Sequence, residues 1–108
     1  MVTIRHHILE NGTDPFANWL DALKDTRGKA KIQINIDRMS LGNFGNCKGL
    51  SDGVSELKID FGPGYRVYYG RIGSLVVLLL CGGDKGSQKK DIITAKKYWL
   101  EYKKGVST

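Results

Sequence analysis

The sequence predicts one α+β domain in which helices pack on a mostly antiparallel sheet. Two observations carry this prediction. The spacing of the apolar residues changes between helical and alternating along the chain, and the resulting order is one strand, two helices, three strands and a last helix. A chain of 108 residues has the length of one domain, since single cores usually span roughly 50–200 residues. We therefore treat residues 1–108 as a single domain.

The N-terminal part of the chain predicts a strand and two helices. Residues 3–9 alternate with a period of two, which is typical of a strand. Asp14 and Pro15 predict a helix start, because aspartate accepts hydrogen bonds from free backbone N–H groups and proline suits the first helical position. Residues 27–41 fit both a helix face and an alternating strand, but no Gly or Pro interrupts residues 29–41, and that length favours a helix.

The C-terminal part predicts three strands and a helix. The Gly-, Asn- and Ser-rich residues 42–53 predict a loop. The strands are predicted at residues 54–61, 65–69 and 75–81, the first two joined by a turn at residues 62–64. The third is continuously apolar, as expected of a strand that is central or covered on both faces. The glycines of residues 82–86 would end it, and Ser87 would cap the last helix. One apolar stripe of that helix comprises Ile92, Ala95, Trp99 and Tyr102.

The charge of the chain is strongly positive. Seventeen Lys and Arg residues stand against eleven acidic residues, a net charge of +6, and seven of the lysines follow residue 84. This surplus predicts a polyanionic partner, either nucleic acid or an acidic protein segment, unless it serves solubility alone. No apolar run approaches the roughly 20 residues that a membrane helix needs. With no secretory signal at the N-terminus, we expect a cytoplasmic protein without a membrane partner.

The cysteine and histidine content gives no metal signature. Cys47 and Cys81 form no C-x-x-C pair, and no cluster of carboxylates, histidines and cysteines suits a metal ion. We expect two reduced thiols, no metal and no cofactor.

The predicted hairpin carries the most information about function. If Phe61 faces Tyr65 across the turn, Lys58 lies opposite Tyr68, and the two share one face with Arg66. The other face is apolar and would pack on the helices, so this polar face would point to solvent. Two cations and an aromatic ring suit a phosphate backbone and a stacked base.

The alternative interpretation of the same hairpin is an ordinary solvated face. In that register Asp60 lies opposite Arg66, and an exposed pair of this kind contributes only about 0–1 kcal/mol.

Two motifs of the chain resemble a known family. Residues 56–68 read ELKIDFGPGYRVY, which resembles the ELRIDFGPGYRVYF signature of the "addiction module killer" proteins. Residues 78–85 read LLLCGGDK and, with Gln88 and Asp91, resemble their LLLxGGDKxxQxxDIxxA segment. These proteins are HigB-type members of the RelE/ParE superfamily of toxins. The resemblance implies a RelE-like fold with two helices against a curved antiparallel sheet. It also implies cleavage of mRNA on the ribosome and neutralisation by a cognate antitoxin, here a helix-turn-helix protein.

The resemblance also implies site residues. In RelE a lysine before the hairpin turn and an arginine just after it serve catalysis, and these positions match Lys58 and Arg66. Lys85 is the nearest match to an arginine that follows the last strand. Asp60 stands where RelE has a second lysine, and the C-terminal tyrosine of RelE and the histidines of HigB have no counterpart here.

Metal-independent RNA cleavage assigns a role to each of these cations. The ribose 2′-oxygen attacks the adjacent phosphorus, so its proton must be accepted, the leaving 5′-oxygen must be protonated, and cations must stabilise the phosphate. Arg66 would clamp the phosphate with its planar guanidinium. Lys58 would serve as the base or a second clamp, and Lys85, before a helix N-terminus that favours anions, as the acid. The RNA-binding surface would further include Arg38, Lys48, Tyr68 and Gln88.

Two other functions remain open at this point. ParE relatives inhibit DNA gyrase by binding it and need no catalytic residues, which would suit the missing tyrosine and histidines. A general RNA-binding module without toxicity would also explain the charge.

Overall fold

The computed structural model describes residues 1–106, and within them the chain forms five strands, three α-helices and one 3-10 turn. The elements in chain order are β1 (Thr3–His6), α1 (Pro15–Ala22), α2 (Thr26–Ser40), β2 (Cys47–Gly49), β3 (Val54–Ile59), β4 (Tyr65–Ile72), β5 (Val76–Gly83), the 3-10 turn (Lys85–Ser87) and α3 (Gln88–Val106). The predicted α+β class is confirmed.

The five strands form one mixed sheet in the order β1-β5-β4-β3-β2. β1 pairs with β5 in parallel, and the other neighbours are antiparallel. The prediction of a mostly antiparallel sheet is therefore confirmed. Because β5 lies inside the sheet, its alternate residues enter two different cores: Val77 and Leu79 face one side, and Leu78 and Leu80 face the other. This explains why the segment is continuously apolar.

The first core lies between the sheet and the two N-terminal helices. Ile32 and Ile36 lie one turn apart on α2 and are buried, together with Phe16 of α1, against the sheet. Both helices begin at an aspartate: the carboxylate of Asp14 accepts from the N–H of Ala17, and that of Asp25 accepts from the N–H of Gly28. The predicted start of α1 is thus confirmed, and its mechanism also applies to α2.

The second core lies on the opposite face of the sheet, beneath α3. Its buried members are Val54, Tyr68, Leu78, Leu80, Cys81, Ala95 and Trp99. The predicted apolar stripe of the last helix is confirmed, because Ile92 and Tyr102 pack against the same cluster. The expectation that helices cover one face only is wrong. The stripe of α3 needs an apolar partner, and the face that we expected to be solvated supplies it.

The structure corrects several boundaries: β1 ends at His6, and β4 continues to Ile72. A short edge strand, β2, lies within the predicted loop and pairs with β3. β5 continues through Gly82 and Gly83, where a Cβ atom would lie 2.2 Å from the Trp19 ring and 1.8 Å from the Asp91 carboxylate, respectively. A 3-10 turn precedes α3, and its cap is Asp84, whose carboxylate accepts from the backbone N–H groups of Gly86 and Ser87. Gly82 and Gly83 therefore leave space for the side chains of Trp19 and Asp91 and do not end β5.

Gly70 offers a direct test of this packing. A Cβ atom there would lie 2.4 Å from the ring of Trp99, which is itself buried and stacked on Tyr102. We expect Gly70→Ala to lower the free energy of unfolding by about 1–3 kcal/mol through overpacking. Urea denaturation measures this loss. Gly49→Ala is the matched control, because nothing lies within 4 Å of that position, and an equal loss in both variants would contradict the packing described here.

Candidate functional site

The hairpin of β3 and β4 has a different register from the predicted one. Lys58 pairs with Arg66, and Ile59 pairs with Tyr65. The prediction that Lys58 lies opposite Tyr68 is therefore wrong. The turn is longer than expected, because the N–H of Phe61 donates to the carbonyl of Ile59 and takes Phe61 out of the ladder.

The ring of Phe61 lies beside two cations of α2. The guanidinium of Arg27 lies 5.6 Å and the ammonium of Lys31 5.7 Å from the centre of the Phe61 ring. Cations within about 6 Å of an aromatic face are attracted to it. Asp60 is exposed and lies outside the ladder, so it does not pair across the strands with Arg66. The longer turn brings Lys58 and Arg66 directly opposite each other.

Arg66 is buried rather than exposed to solvent. The residue is 6% exposed, and its Nε atom lies 3.4 Å from Oε1 of Glu56, which is 2% exposed. This contact is an ion pair without hydrogen-bond geometry, since Nε has no hydrogen-bond partner. The guanidinium also donates from Nη1 to the carbonyl of Gly64 at 2.8 Å. The expectation of a solvent-facing arginine is wrong, because α3 and its preceding turn cover this part of the sheet.

Tyr68 is fully enclosed beneath α3. It is 0% exposed, and its hydroxyl has no hydrogen-bond partner. Burial raises the pKa of the phenol far above its ordinary value, and the nearby carboxylates of Glu56 and Asp91 raise it further. The structure thus contradicts the prediction that Tyr68 stacks on an RNA base, because its ring is already packed in the second core.

Lys58 and Lys85 are the more accessible cations beside Arg66. Lys58 is half-buried, and Lys85 is exposed. The N–H of Lys85 donates to the carbonyl of Pro63 at 3.4 Å, which holds the 3-10 turn against the hairpin. A Cβ atom on Gly64 would lie 3.3 Å from Nη1 of Arg66 and 3.7 Å from Cβ of Lys85. The structure therefore places Lys58 of β3 directly opposite Arg66 of β4, and it holds the 3-10 turn with Lys85 against the same hairpin.

The four predicted RNA-binding residues have different surroundings. Lys48 lies on the edge strand, with its Nζ atom 4.0 Å from Oε2 of Glu56, and its side chain is 67% exposed. Gln88 donates to Oε1 of Glu56 at 3.0 Å and so supports the buried ion pair. Arg38 is exposed on α2, which packs on the other face of the sheet, so it is not part of this group. Tyr68, as described, is enclosed.

Glu56 is the residue that sequence reasoning missed. It lies on the same face of β3 as Lys58 and contacts Arg66, Lys48 and Gln88. The sequence feature that could have predicted the burial of Glu56 is the last helix. Its apolar stripe must cover a sheet face, and a covered arginine needs a buried counter-charge.

Asp91 is a second residue without a predicted role. It accepts a hydrogen bond from the Ser87 hydroxyl and occupies the space that Gly83 leaves free. In the motif, Gly83 and Asp91 therefore form one packing unit.

Residues 1–106 contain no group of three or more His, Cys, Asp or Glu side chains placed to hold a metal ion. Cys47 and Cys81 are free thiols. In the same part of the chain, none of the helices has the length and apolar character required to cross a membrane.

The fold and the hairpin define a small basic α+β protein in which Lys58, Arg66 and Lys85 lie at one end of the sheet. No family model matches the chain. A protein of Haemophilus influenzae described as uncharacterized is 53% identical to it over 81 residues, which cover 75% of this chain and 82% of the relative. The chain belongs to the same family as that protein.

Proposed function

We propose that this chain is the toxin of a toxin–antitoxin pair and that it cleaves mRNA on the ribosome without a metal ion. The observation that carries the proposal is the placement of Lys58 opposite Arg66, with Lys85 held against the same hairpin turn. The net charge of +6 supports a polyanionic substrate. The two helices on one face of a mostly antiparallel sheet also fit the RelE-like arrangement that the motifs imply. Action in the cytoplasm and control by a helix-turn-helix antitoxin are part of the same proposal.

The accessible lysines would contact the RNA in this mechanism. The 2′-oxygen attacks phosphorus, the bond to the 5′-oxygen breaks, and the products are a 2′,3′-cyclic phosphate and a 5′-hydroxyl end. Lys85 would give its proton to the departing 5′-oxygen. Lys58 would hold the phosphate or accept the 2′ proton. Glu56 and the carbonyl of Gly64 already contact the guanidinium of Arg66. Arg66 would therefore not grip the RNA directly but would supply a fixed positive charge below the phosphate.

The purified chain tests this division of roles on a synthetic mRNA in the presence of ribosomes. We expect Lys58→Ala and Lys85→Ala each to slow cleavage by about 10²–10³, the typical effect of removing a group that stabilises developing charge. Lys24→Ala is the matched control, since it removes the same charge from an exposed position between α1 and α2. Lysine variants as active as the control would exclude this site.

A second candidate function is binding and inhibition of DNA gyrase without catalysis. The burial of Arg66 and Tyr68 favours it, because two of the predicted RNA-contacting side chains are enclosed. Brief induction in bacteria, followed by parallel measurement of protein and DNA synthesis, distinguishes the two candidates. A ribonuclease stops translation first, whereas a gyrase inhibitor stops replication first.

A further inference from the structure

The last helix has apolar side chains on two sides. One side is buried in the second core and includes Ala95 and Trp99. On the outward side Ile93 is 71% exposed and Leu100 is 50% exposed. The two residues are seven positions apart, which is close to two helical turns, so they lie on one side of α3 about 10 Å apart along its axis.

Lysines surround these two apolar side chains. Lys89, Lys97 and Lys104 continue the same side of the helix, alternating with Ile93 and Leu100 at spacings of three or four residues. Among the described side chains of α3, the exposed charged residues are five lysines and one acid, namely Lys89, Lys90, Lys97, Lys103, Lys104 and Glu101. The outward side of α3 is therefore an apolar strip with a basic border.

We propose that this strip docks an acidic amphipathic helix of a protein partner. A partner helix with apolar residues seven positions apart can cover Ile93 and Leu100, and carboxylates on its flanks complement the lysines. When an amphipathic helix docks on a partner, its apolar side chains at positions such as i and i+7 make the main contacts. Opposite charges on the two surfaces also speed association and disfavour partners that carry the same charge as the strip.

The apolar residues decide between this partner and other polyanions. RNA is held by contacts to phosphates and base edges, and the aliphatic side chains of Ile93 and Leu100 supply neither. A helix that lies in an anionic membrane buries its large apolar face. In α3 the larger apolar face, with Trp99 and Ala95, is already covered by the sheet. A protein helix is the partner that uses both the lysines and the aliphatic pair.

The proposal does not depend on RNA cleavage, and its test does not measure cleavage. The probe is a fluorescent synthetic helical peptide with leucines at i, i+3 and i+7 and glutamates on the flanking positions. The control peptide has the same composition in scrambled order. Binding to the full chain is measured by fluorescence anisotropy, with an RNA oligonucleotide and phosphatidylglycerol vesicles as competing ligands.

The amphipathic peptide should bind the full chain at least about tenfold more tightly than the scrambled peptide, since buried apolar anchors carry most of the binding energy. Ile93→Ser and Leu100→Ser should each weaken this binding by about tenfold while leaving the net charge unchanged. Ile34→Ser is the matched control, because Ile34 is 46% exposed on α2. Its binding should equal that of the wild type, and the unfolding temperatures of all three variants should stay close to the wild-type value.

Three results would overturn the proposal. The first is equal binding of the two peptides, and the second is unchanged binding by Ile93→Ser and Leu100→Ser. The third is a loss of RNA or vesicle binding in these variants with the peptide binding intact, which would assign the strip to that other ligand.

Discussion

Replacing Glu56 with alanine is expected to lower the free energy of unfolding by about 3–5 kcal/mol, because it leaves a buried guanidinium without its counter-charge. Arg66 and Glu56 are 6% and 2% exposed, and Gln88 also loses its acceptor in this variant. Total stabilities of domains are about 5–15 kcal/mol, so the variant should be marginally folded. Urea denaturation followed by circular dichroism measures the loss.

Two further variants identify the ion pair as the cause. Lys48→Ala removes the exposed partner of Glu56, and we expect a loss of only about 0–1 kcal/mol. The double variant Glu56→Met/Arg66→Met should recover most of the stability, since apolar pairs of similar volume often replace buried ion pairs at little cost. If Glu56→Ala unfolds at the same urea concentration as Lys48→Ala, the buried pair does not stabilise the fold as described.

Alkaline pH is expected to unfold the chain in one cooperative step. Burial raises the pKa of Tyr65 from 10 to about 12, helped by its hydrogen bond to Asp25. Burial also raises the pKa values of Tyr68 and Tyr69 well above their ordinary range. A raised phenol pKa means that the folded state disfavours the phenolate. The stability linked to these groups is therefore complete below pH 10 and is lost as the pH rises toward 12.

The size of this effect is large because several phenols act together. The folded state disfavours the phenolates of Tyr65, Tyr68 and Tyr69 together, so each of them contributes to the loss of stability at alkaline pH. Between pH 10 and 12, tyrosinate absorbance and loss of helical circular dichroism should appear together. Ionisation of all tyrosines with the helical signal intact would contradict the described burial.

Two tyrosine variants separate burial from hydrogen bonding. Tyr68→Phe removes a buried hydroxyl that has no partner, so we expect unchanged or higher stability and a higher alkaline midpoint. Tyr65→Phe removes a hydroxyl that donates to the Asp25 carboxylate at 2.8 Å, and a bond of that type contributes about 1.5–3 kcal/mol. Its stability at neutral pH should fall.

The sequence was sufficient to predict the elements that depend on local chemistry. The aspartate before Pro15 identifies the start of α1, and the apolar run from residue 75 identifies a strand inside the sheet. The length of residues 29–41 without Gly or Pro identified the helix that contains Ile32 and Ile36. Each of these signals lies within a few residues of the element that it predicts.

The register of the hairpin and the burial of its polar face depended on distant residues. Phe61 lies outside the ladder, with two cations of α2 near its ring, and no residue of the hairpin indicates this. Glu56 is buried because α3 covers β3 and β4. The grouping of Lys58 with Arg66 was predicted from strand alternation, and the motifs added Lys85 to it.

The parallel pairing of β1 with β5 has a consequence for biosynthesis. Thr3 pairs with Val76 and His6 with Leu79, so the first strand finds its partner only after most of the chain has left the ribosome. Until then α1 and α2 have no completed sheet to cover. Contacts this far apart in sequence slow folding, because the intervening chain must be ordered first. The nascent protein would therefore display the apolar faces of its N-terminal helices during most of translation, when chaperones can reach them.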